Sequence, residues 1–333
     1  MIRSALYTAF LALALCFGML WLRGVLAPAE PPSPAPSAAE TAPPAPASAA
    51  PALRRVRVKD GGAVSEMALE EYLVGVVAAE MPAEFEPEAL KAQAVAARTY
   101  TLYCARTGRH ADADVCTDFA CCQAWRSDDA LRESWGEAYG DRLGRIRAAV
   151  EATAGQYLSY GGEAVFAAFH SSSAGFTEDC GAIWSGLPYL VSVSSPESAD
   201  TVPNYVSRVE LRPLDFRDTL LYAEPEADLT GDPAGWLGEL RRDDSGRVAE
   251  AVIGGAVFSG VRLRELFALR STAFTLEYAD GVFVFTVTGF GHGVGMSQYG
   301  ANVMAASGAD YRAILAHYYP GTELTKYAAA EIK

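Results

Sequence analysis

Leu69-Glu-Glu-Tyr-Leu-Val-Gly-Val-Val-Ala-Ala-Glu-Met-Pro82, followed by Pro87-Glu-Ala-Leu-Lys-Ala-Gln-Ala-Val-Ala-Ala-Arg-Thr-Tyr100, is the stretch that decides the fold. Leu69, Tyr72, Leu73, Val76 and Val77 recur at helical spacing, and the pattern breaks at Pro82. Pro87 suits the first turn of a second helix, predicted to run to about Tyr103. The small-residue face of that helix, Ala94, Ala97 and Thr101, permits close packing. Lys91 and Arg98 are seven residues apart and share a face.

Moving outward, Arg55-Val-Arg-Val-Lys59 alternates with period two and runs into Gly61-Gly62, which predicts a strand and hairpin. A short helix is expected over 146–155, then strands at 157–160 and 164–166. Phe274–Tyr278 and Val282–Thr288 flank Ala279-Asp-Gly281 as a second hairpin. Two helices, about 297–306 and 310–319, close the chain before Pro320-Gly321. Helices and strands come in blocks, which predicts an α+β fold with one mixed globular domain over 55–333.

Ahead of that domain, Ala5 to Leu22 is an uncharged, mostly apolar run of eighteen residues. It is near the minimum length for a membrane span, so residues 1–26 are expected as an N-terminal anchor. A cleaved export signal is the alternative, and both readings export the rest. Residues 27–54 are a Pro/Ala/Ser-rich linker that cannot bury a core. The 333 residues carry 41 acidic and 27 basic groups, a net charge of −14, which argues against a nucleic-acid partner.

Four segments hold candidate chemistry. Glu80 ends an apolar helix beside Val77 and Met81, where it is either a solvated helix-end glutamate, the commoner case, or a carboxyl whose desolvation raises its pKa toward that of a general acid. His170-Ser171-Ser172-Ser173 crowds hydroxyls after a strand, yet no G-x-S-x-G elbow accompanies it. Gly289-Phe-Gly-His-Gly-Val-Gly-Met-Ser-Gln-Tyr-Gly300 holds His292, Gln298 and Tyr299 in a glycine-rich loop, and the absence of Lys-Ser/Thr excludes a Walker loop. The glycines are expected to let the backbone approach a ligand. His110, Cys116, Cys121 and Cys122 could supply a tetrahedral zinc shell or form a disulfide, and the spacing leaves both open.

At these residues the chain resembles the stage II sporulation protein D family, which includes amidase-enhancer proteins. Three blocks carry the resemblance: Glu71 to Phe85 with Glu88 to Tyr100; His170-Ser-Ser-Ser with Gly175 and Thr177-Glu178; and Gly291 to Ala301. It covers about residues 55–325. The resemblance implies a lytic transglycosylase that cleaves the β-1,4 bond between N-acetylmuramic acid and N-acetylglucosamine in strands stripped of stem peptides. It implies Glu80 as the catalytic group, Lys91 and Arg98 as a supporting basic pair, and Tyr299 as a loop tyrosine. His170, Ser171, Ser172, Ser173, His292 and Gln298 are expected to bind substrate. Some relatives carry a zinc cluster within the insertion here at about 104–126. Cys121 stands where they have a second histidine, so the resemblance favours a structural Cys3His zinc over a disulfide. Ser173-Ala174-Gly175 also departs from the two glycines common in relatives.

The implied setting is a cell-membrane protein with an extracytoplasmic domain, acting in forespore engulfment. Its implied partners are glycan strands, other cell-wall hydrolases and engulfment membrane proteins. A non-catalytic glycan-binding activator of an amidase is the competing reading. A zinc hydrolase built on His170 and His292 is weaker, since neither has a paired ligand at short spacing. The Glu80 turn, the serine loop and the glycine loop are expected to converge on one cleft.

Overall fold

The computed structural model describes residues 55–327. The expected anchor and linker at 1–54 lie outside the described residues. Among the described residues no helix is long and apolar enough to cross a membrane. The chain opens with the expected hairpin, β1 (Arg55–Asp60) and β2 (Ala63–Ala68), paired antiparallel. Helix α1 (Leu69–Glu80) follows without a break. Helix α2 (Pro87–Thr107) starts at the expected proline and runs four residues past Tyr103, ending where Gly108 turns left-handed. Strand β3 (Val115–Cys116) then joins β1 in parallel. Next come α3 (Asp128–Trp135) and α4 (Tyr139–Ala152), the latter starting seven residues before the apolar pattern that suggested it.

Strand β4 (Gln156–Tyr160) pairs with the short β5 (Glu163–Ala164), and β6 (Phe169–His170) opens the serine loop. After the single turn α5 (Cys180–Ile183), the chain builds a second layer of structure. This consists of β7 (Val206–Leu211), α6 (Pro213–Ala223), β8 (Leu237–Arg242), β9 (Val248–Ile253), β10 (Ala256–Ser259), α7 (Gly260–Leu266), β11 (Phe274–Ala279) and β12 (Val282–Thr288). Its sheets, ordered β10-β9-β8 and β11-β12-β7, enclose a separate apolar core. There Phe216 stacks on Phe283 with ring centroids 3.9 Å apart. Strand β13 (Met296–Ser297) returns to pair in parallel with β6. Then α8 (Gln298–Ala306), α9 (Tyr311–Tyr318) and β14 (Glu323–Lys326) complete the fold, with β14 against β4. The result is the mixed helix-and-sheet architecture expected, with two large apolar cores and a small third cluster of Leu102, Tyr157 and Ala164 in the described residues.

The main core forms around α2, against which α1, α4, α8, α9 and β4 all pack. Ala89, Ala92, Ala94, Ala96 and Ala97 are all fully buried on α2. With only a methyl group at each, neighbouring backbones can approach closely and still fill space. One charge sits inside this core. Arg98 is completely buried and grips Glu70 at the start of α1 in a bidentate pair, Nη2–Oε2 2.5 Å and Nε–Oε1 3.2 Å. Its remaining N–H groups donate to the Gln156 carbonyl at 3.1 Å and the Val150 carbonyl at 3.3 Å. The guanidinium therefore ties α1, α4 and β4 to α2. Removing one partner of a buried ion pair costs about 3–5 kcal/mol, and Glu70 is partly solvated, which places this case at the low end. We expect Arg98→Ala to lower the unfolding free energy by roughly 3 kcal/mol in urea titration. An unchanged midpoint would remove Arg98 from the architecture.

Candidate active site

Glu80 is the last residue of α1. A carboxylate there faces the negative end of the helix dipole, a placement that stability alone disfavours. Its Oε1 accepts the Ala124 backbone N–H at 2.9 Å, and its Oε2 accepts from Gln298 Nε2 at a long 3.4 Å. Burial pushes the carboxyl pKa above its ordinary value, and these two hydrogen bonds oppose the shift. Glu80 makes no ion pair among the described residues, so its proton affinity is set by desolvation and not by a charged neighbour.

The turn after Glu80 is held from two sides. Arg145 donates to the carbonyls of Ala83 at 2.7 Å and Phe85 at 2.8 Å. The Glu86 N–H donates to Asn302 Oδ1 on α8 at 2.7 Å. The Phe85 ring meets Tyr299 edge-on, centroids 5.0 Å apart, so the loop tyrosine packs on the Glu80 turn. Ala124 is presented by residues 121–126, which lie along α1. The Arg126 N–H donates to the Gly75 carbonyl at 3.2 Å. A Cβ at Gly75 would stand 2.3 Å from the Trp125 indole nitrogen, so only glycine allows that approach.

The serine and glycine loops interlock, as expected, and deliver Gln298 and Tyr299 to the Glu80 turn. Beyond the β6–β13 pair, Ser172 and Phe290 exchange backbone hydrogen bonds at 3.0 and 2.8 Å, and the Tyr299 N–H donates to the Ser171 carbonyl at 3.0 Å. Ser297 caps α8 by accepting the Gly300 N–H, which fixes Gln298 as its first residue. The glycines serve this interlock. Gly295 has φ +73°, and a Cβ there would lie 2.0 Å from the Ala168 carbonyl oxygen. Four loop glycines would collide with protein atoms if substituted, so the expected backbone approach to a ligand is here an approach of loop to loop.

Several expected substrate contacts turn out to be internal. His170 is buried, and burial drives its pKa well below the ordinary histidine value. Its Nδ1 lies 3.2 Å from the Val294 carbonyl, which can only accept, so Nδ1 carries the proton. Nε2 then accepts from the Ser173 hydroxyl at 2.7 Å. Ser172 and Ser173 are buried as well. Burial also lowers His292 to about 4, and its ring lies 5.8 Å from His170. Both imidazoles are therefore neutral and act as packing and hydrogen-bonding groups. Ser171, His292 and Tyr299 remain partly accessible.

The basic pair is not assembled around Glu80. Arg98 is the interior bolt described above, because its side of α2 faces α1 and α4. Lys91 binds Glu88 at 2.6 Å, and Glu88 in turn accepts the Tyr311 N–H. Sequence reasoning also passed over Glu197. That buried carboxylate accepts from the Ser173 N–H at 2.6 Å and from the hydroxyls of Ser195 and Ser297, clamping the two loops together. Little in the local sequence signals this, because two of the three donors, Ser173 and Ser297, come from distant segments. Glu178 is a second such group. Burial and Asp243 raise it to about 7, and it meets Arg247 at 3.6 Å across the boundary with the second core.

His110, Cys116, Cys121 and Cys122 come together, their ligand atoms all within 4.8 Å of one another. His110 Nε2 is 3.3 Å from Cys122 Sγ and 3.7 Å from Cys121 Sγ. Ligands about 2.0–2.3 Å from a tetrahedral zinc lie under about 4 Å apart, so slight contraction closes a shell. None of the described cysteines is bridged. The donor set thus fits a closed Cys3His site. It lies two residues from Ala124, whose N–H holds Glu80.

The raised pKa means the folded protein binds the Glu80 proton more tightly than the unfolded chain does. The associated stability is full below the unfolded carboxyl pKa and is lost as pH rises through the folded value. Glu80→Gln, neutral at every pH, should melt a few degrees above the parent at about pH 8 and together with it at about pH 4. A parent more stable than the variant at about pH 8 would contradict the desolvated carboxyl.

Comparison with known proteins places this geometry. The family model described as stage II sporulation protein matches residues 58–160, the segment holding Glu80, Lys91, Arg98 and the Cys/His cluster. Stage II sporulation protein D of Bacillus amyloliquefaciens is 39% identical over 268 residues, covering 79% of this chain and 76% of that protein. The Bacillus subtilis (strain 168) protein of the same name is 38% identical over the same shares. The amidase enhancer of Bacillus subtilis is 28% identical over 303 residues, covering 77% of this chain and 40% of that protein. With 38–39% identity across most of both chains, the protein belongs to the stage II sporulation protein D family.

Proposed function

We propose that this protein is a lytic transglycosylase acting on peptidoglycan strands stripped of stem peptides, with Glu80 as its acid and base. The observation that carries this reading is one half-buried carboxyl of raised pKa, held at the convergence of three loops without an ionised partner. Hydrolysis by the usual two-carboxylate routes needs a second acid group flanking the bond. Transglycosylation needs one. Protonated Glu80 gives its proton to the glycosidic oxygen as the bond from the muramic acid C1 to that oxygen breaks. The carboxylate then takes the proton of the sugar's own 6-hydroxyl as that oxygen bonds to C1. The products are a free 4-hydroxyl and a 1,6-anhydro end, no water is consumed, and Glu80 regains its proton.

Residue geometry supports the division of labour. The Ala124 N–H keeps Oε1 in place, leaving Oε2, on its long bond to Gln298, as the oxygen that holds the mobile proton. Rotation of the Gln298 amide would let it accept that proton's hydrogen bond in the acid form. Tyr299 and Ser171 border the same cleft. Lys91 stands on α2 as a partly exposed cation for the lactyl carboxylate, whereas Arg98 acts through the fold. Zinc at His110, Cys116, Cys121 and Cys122 would supply a structural cross-link that fixes residues 121–126. The family names of the relatives support a place in sporulation and the cell wall. Within that setting we assign the domain to the outer side of the cell membrane, attached through residues 5–22 and working beside other hydrolases during engulfment.

Mass analysis of stripped glycan strands incubated with the protein tests the reading. Anhydro-ended fragments are expected, and Glu80→Gln should lower their formation by about 10²–10⁴-fold. Because the proton must be on Glu80 at the start, turnover should fall as pH rises through its elevated pKa. Intact strands that remain bound would instead favour the amidase-activating reading. Chelation should remove one zinc per chain, lower the melting temperature and expose three additional thiols to titration. Protein without zinc that melts unchanged in chelator would exclude the structural metal.

A further inference from the structure

Trp184 follows α5 with nearly half its surface exposed, 46%, although it belongs to no apolar core. Its ring sits in a row of mutually tilted aromatic rings. Phe166 meets it edge-on at 5.5 Å, His292 lies 5.1 Å away, and Tyr103 lies 5.3 Å from Phe166 with Arg106 over its own ring. Phe166 and Tyr103 pack on the main core and back the exposed indole. A half-exposed indole suits a ligand having apolar faces and hydroxyl edges.

The row also spans the elements that hold Glu80. At one end Tyr100, which packs on Phe166 at 5.5 Å, donates its hydroxyl to the Cys121 carbonyl, three residues before Ala124. At the other, His292 belongs to the glycine loop that delivers Gln298. We propose that Trp184, backed by Phe166 and Tyr103, is a stacking subsite that holds a sugar ring of the glycan strand leading to Glu80. This rests on the reading of the Glu80 site as a glycan site, and it assigns part of the strand grip to an aromatic face.

The test uses the full chain carrying Glu80→Gln, so that nothing is cleaved, and chitotetraose as the probe, with affinity read by calorimetry. Adding Trp184→Ala should weaken binding about tenfold or more, while Trp184→Phe should retain most of it. Tyr222→Ala, at an exposed aromatic on α6 of the second core, should leave affinity unchanged. Matching melting temperatures exclude unfolding as the cause. Equal affinity for Trp184→Ala and its parent, or no measurable binding by the parent, overturns the subsite. The two readings separate cleanly. Trp184-dependent binding in a protein whose wild type never cleaves strands retains the subsite and rejects the enzyme. Cleavage with a KM indifferent to Trp184 does the reverse.

Discussion

The bidentate grip of Arg98 on Glu70 fixes the direction of α1, and the position of the Glu80 carboxyl follows from that direction. Glu70 stands at one end of α1 and Glu80 at the other. Arg98 also holds the Val150 and Gln156 carbonyls at the end of α4 and the start of β4, so α1 cannot swing without breaking its two bonds to a guanidinium that is itself fixed. The alanine-lined surface of α2 keeps the neighbouring backbones close enough for one guanidinium to reach all of them. A charge left unpaired in such an interior is strongly unfavourable, and that penalty enforces the arrangement. Arg145 and Asn302 then hold the chain just past Glu80.

A second constraint is dryness. The groups around the cleft are neutral or internally satisfied: His170 and His292 stay uncharged, and Glu197 is consumed by donors from the two loops. Desolvation raises the Glu80 carboxyl above its ordinary pKa, and the hydrogen bonds from Ala124 and Gln298 oppose the shift. The glycine loop achieves this by interlocking with the serine loop, and residues 121–126 close the third side. The Cys/His cluster sits at the start of that third segment, two residues from the N–H that holds Glu80.

Local patterns were legible in the sequence where the partner is also local. The hairpin from Arg55 to Ala68, the start of α2 at Pro87 and the β11–β12 hairpin across Asp280-Gly281 all rest on short-range turn or capping chemistry. Glu80 was legible through its block of neighbours, and the Cys/His cluster through spacing. What escaped depends on distant partners. Strand β7 pairs with β12 some seventy residues later, and the second core around Phe216 and Phe283 assembles from segments with weak periodicity. Heptad spacing put Lys91 and Arg98 on one face, but helix packing buried one and left the other at the rim. Trp184 and Phe166 carry no motif at all, since their meeting is made by tertiary structure.

The central claim is that one carboxyl moves a proton while the sugar supplies its own nucleophile. Oxygen labelling examines that step directly. Stripped glycan strands are incubated with the protein in water enriched in oxygen-18, and the new muramic acid ends are analysed by mass spectrometry. Intramolecular attack predicts anhydro ends of unlabelled mass. Reducing ends carrying one heavy oxygen would show that water attacks C1, and the single-carboxyl account of Glu80 would be contradicted.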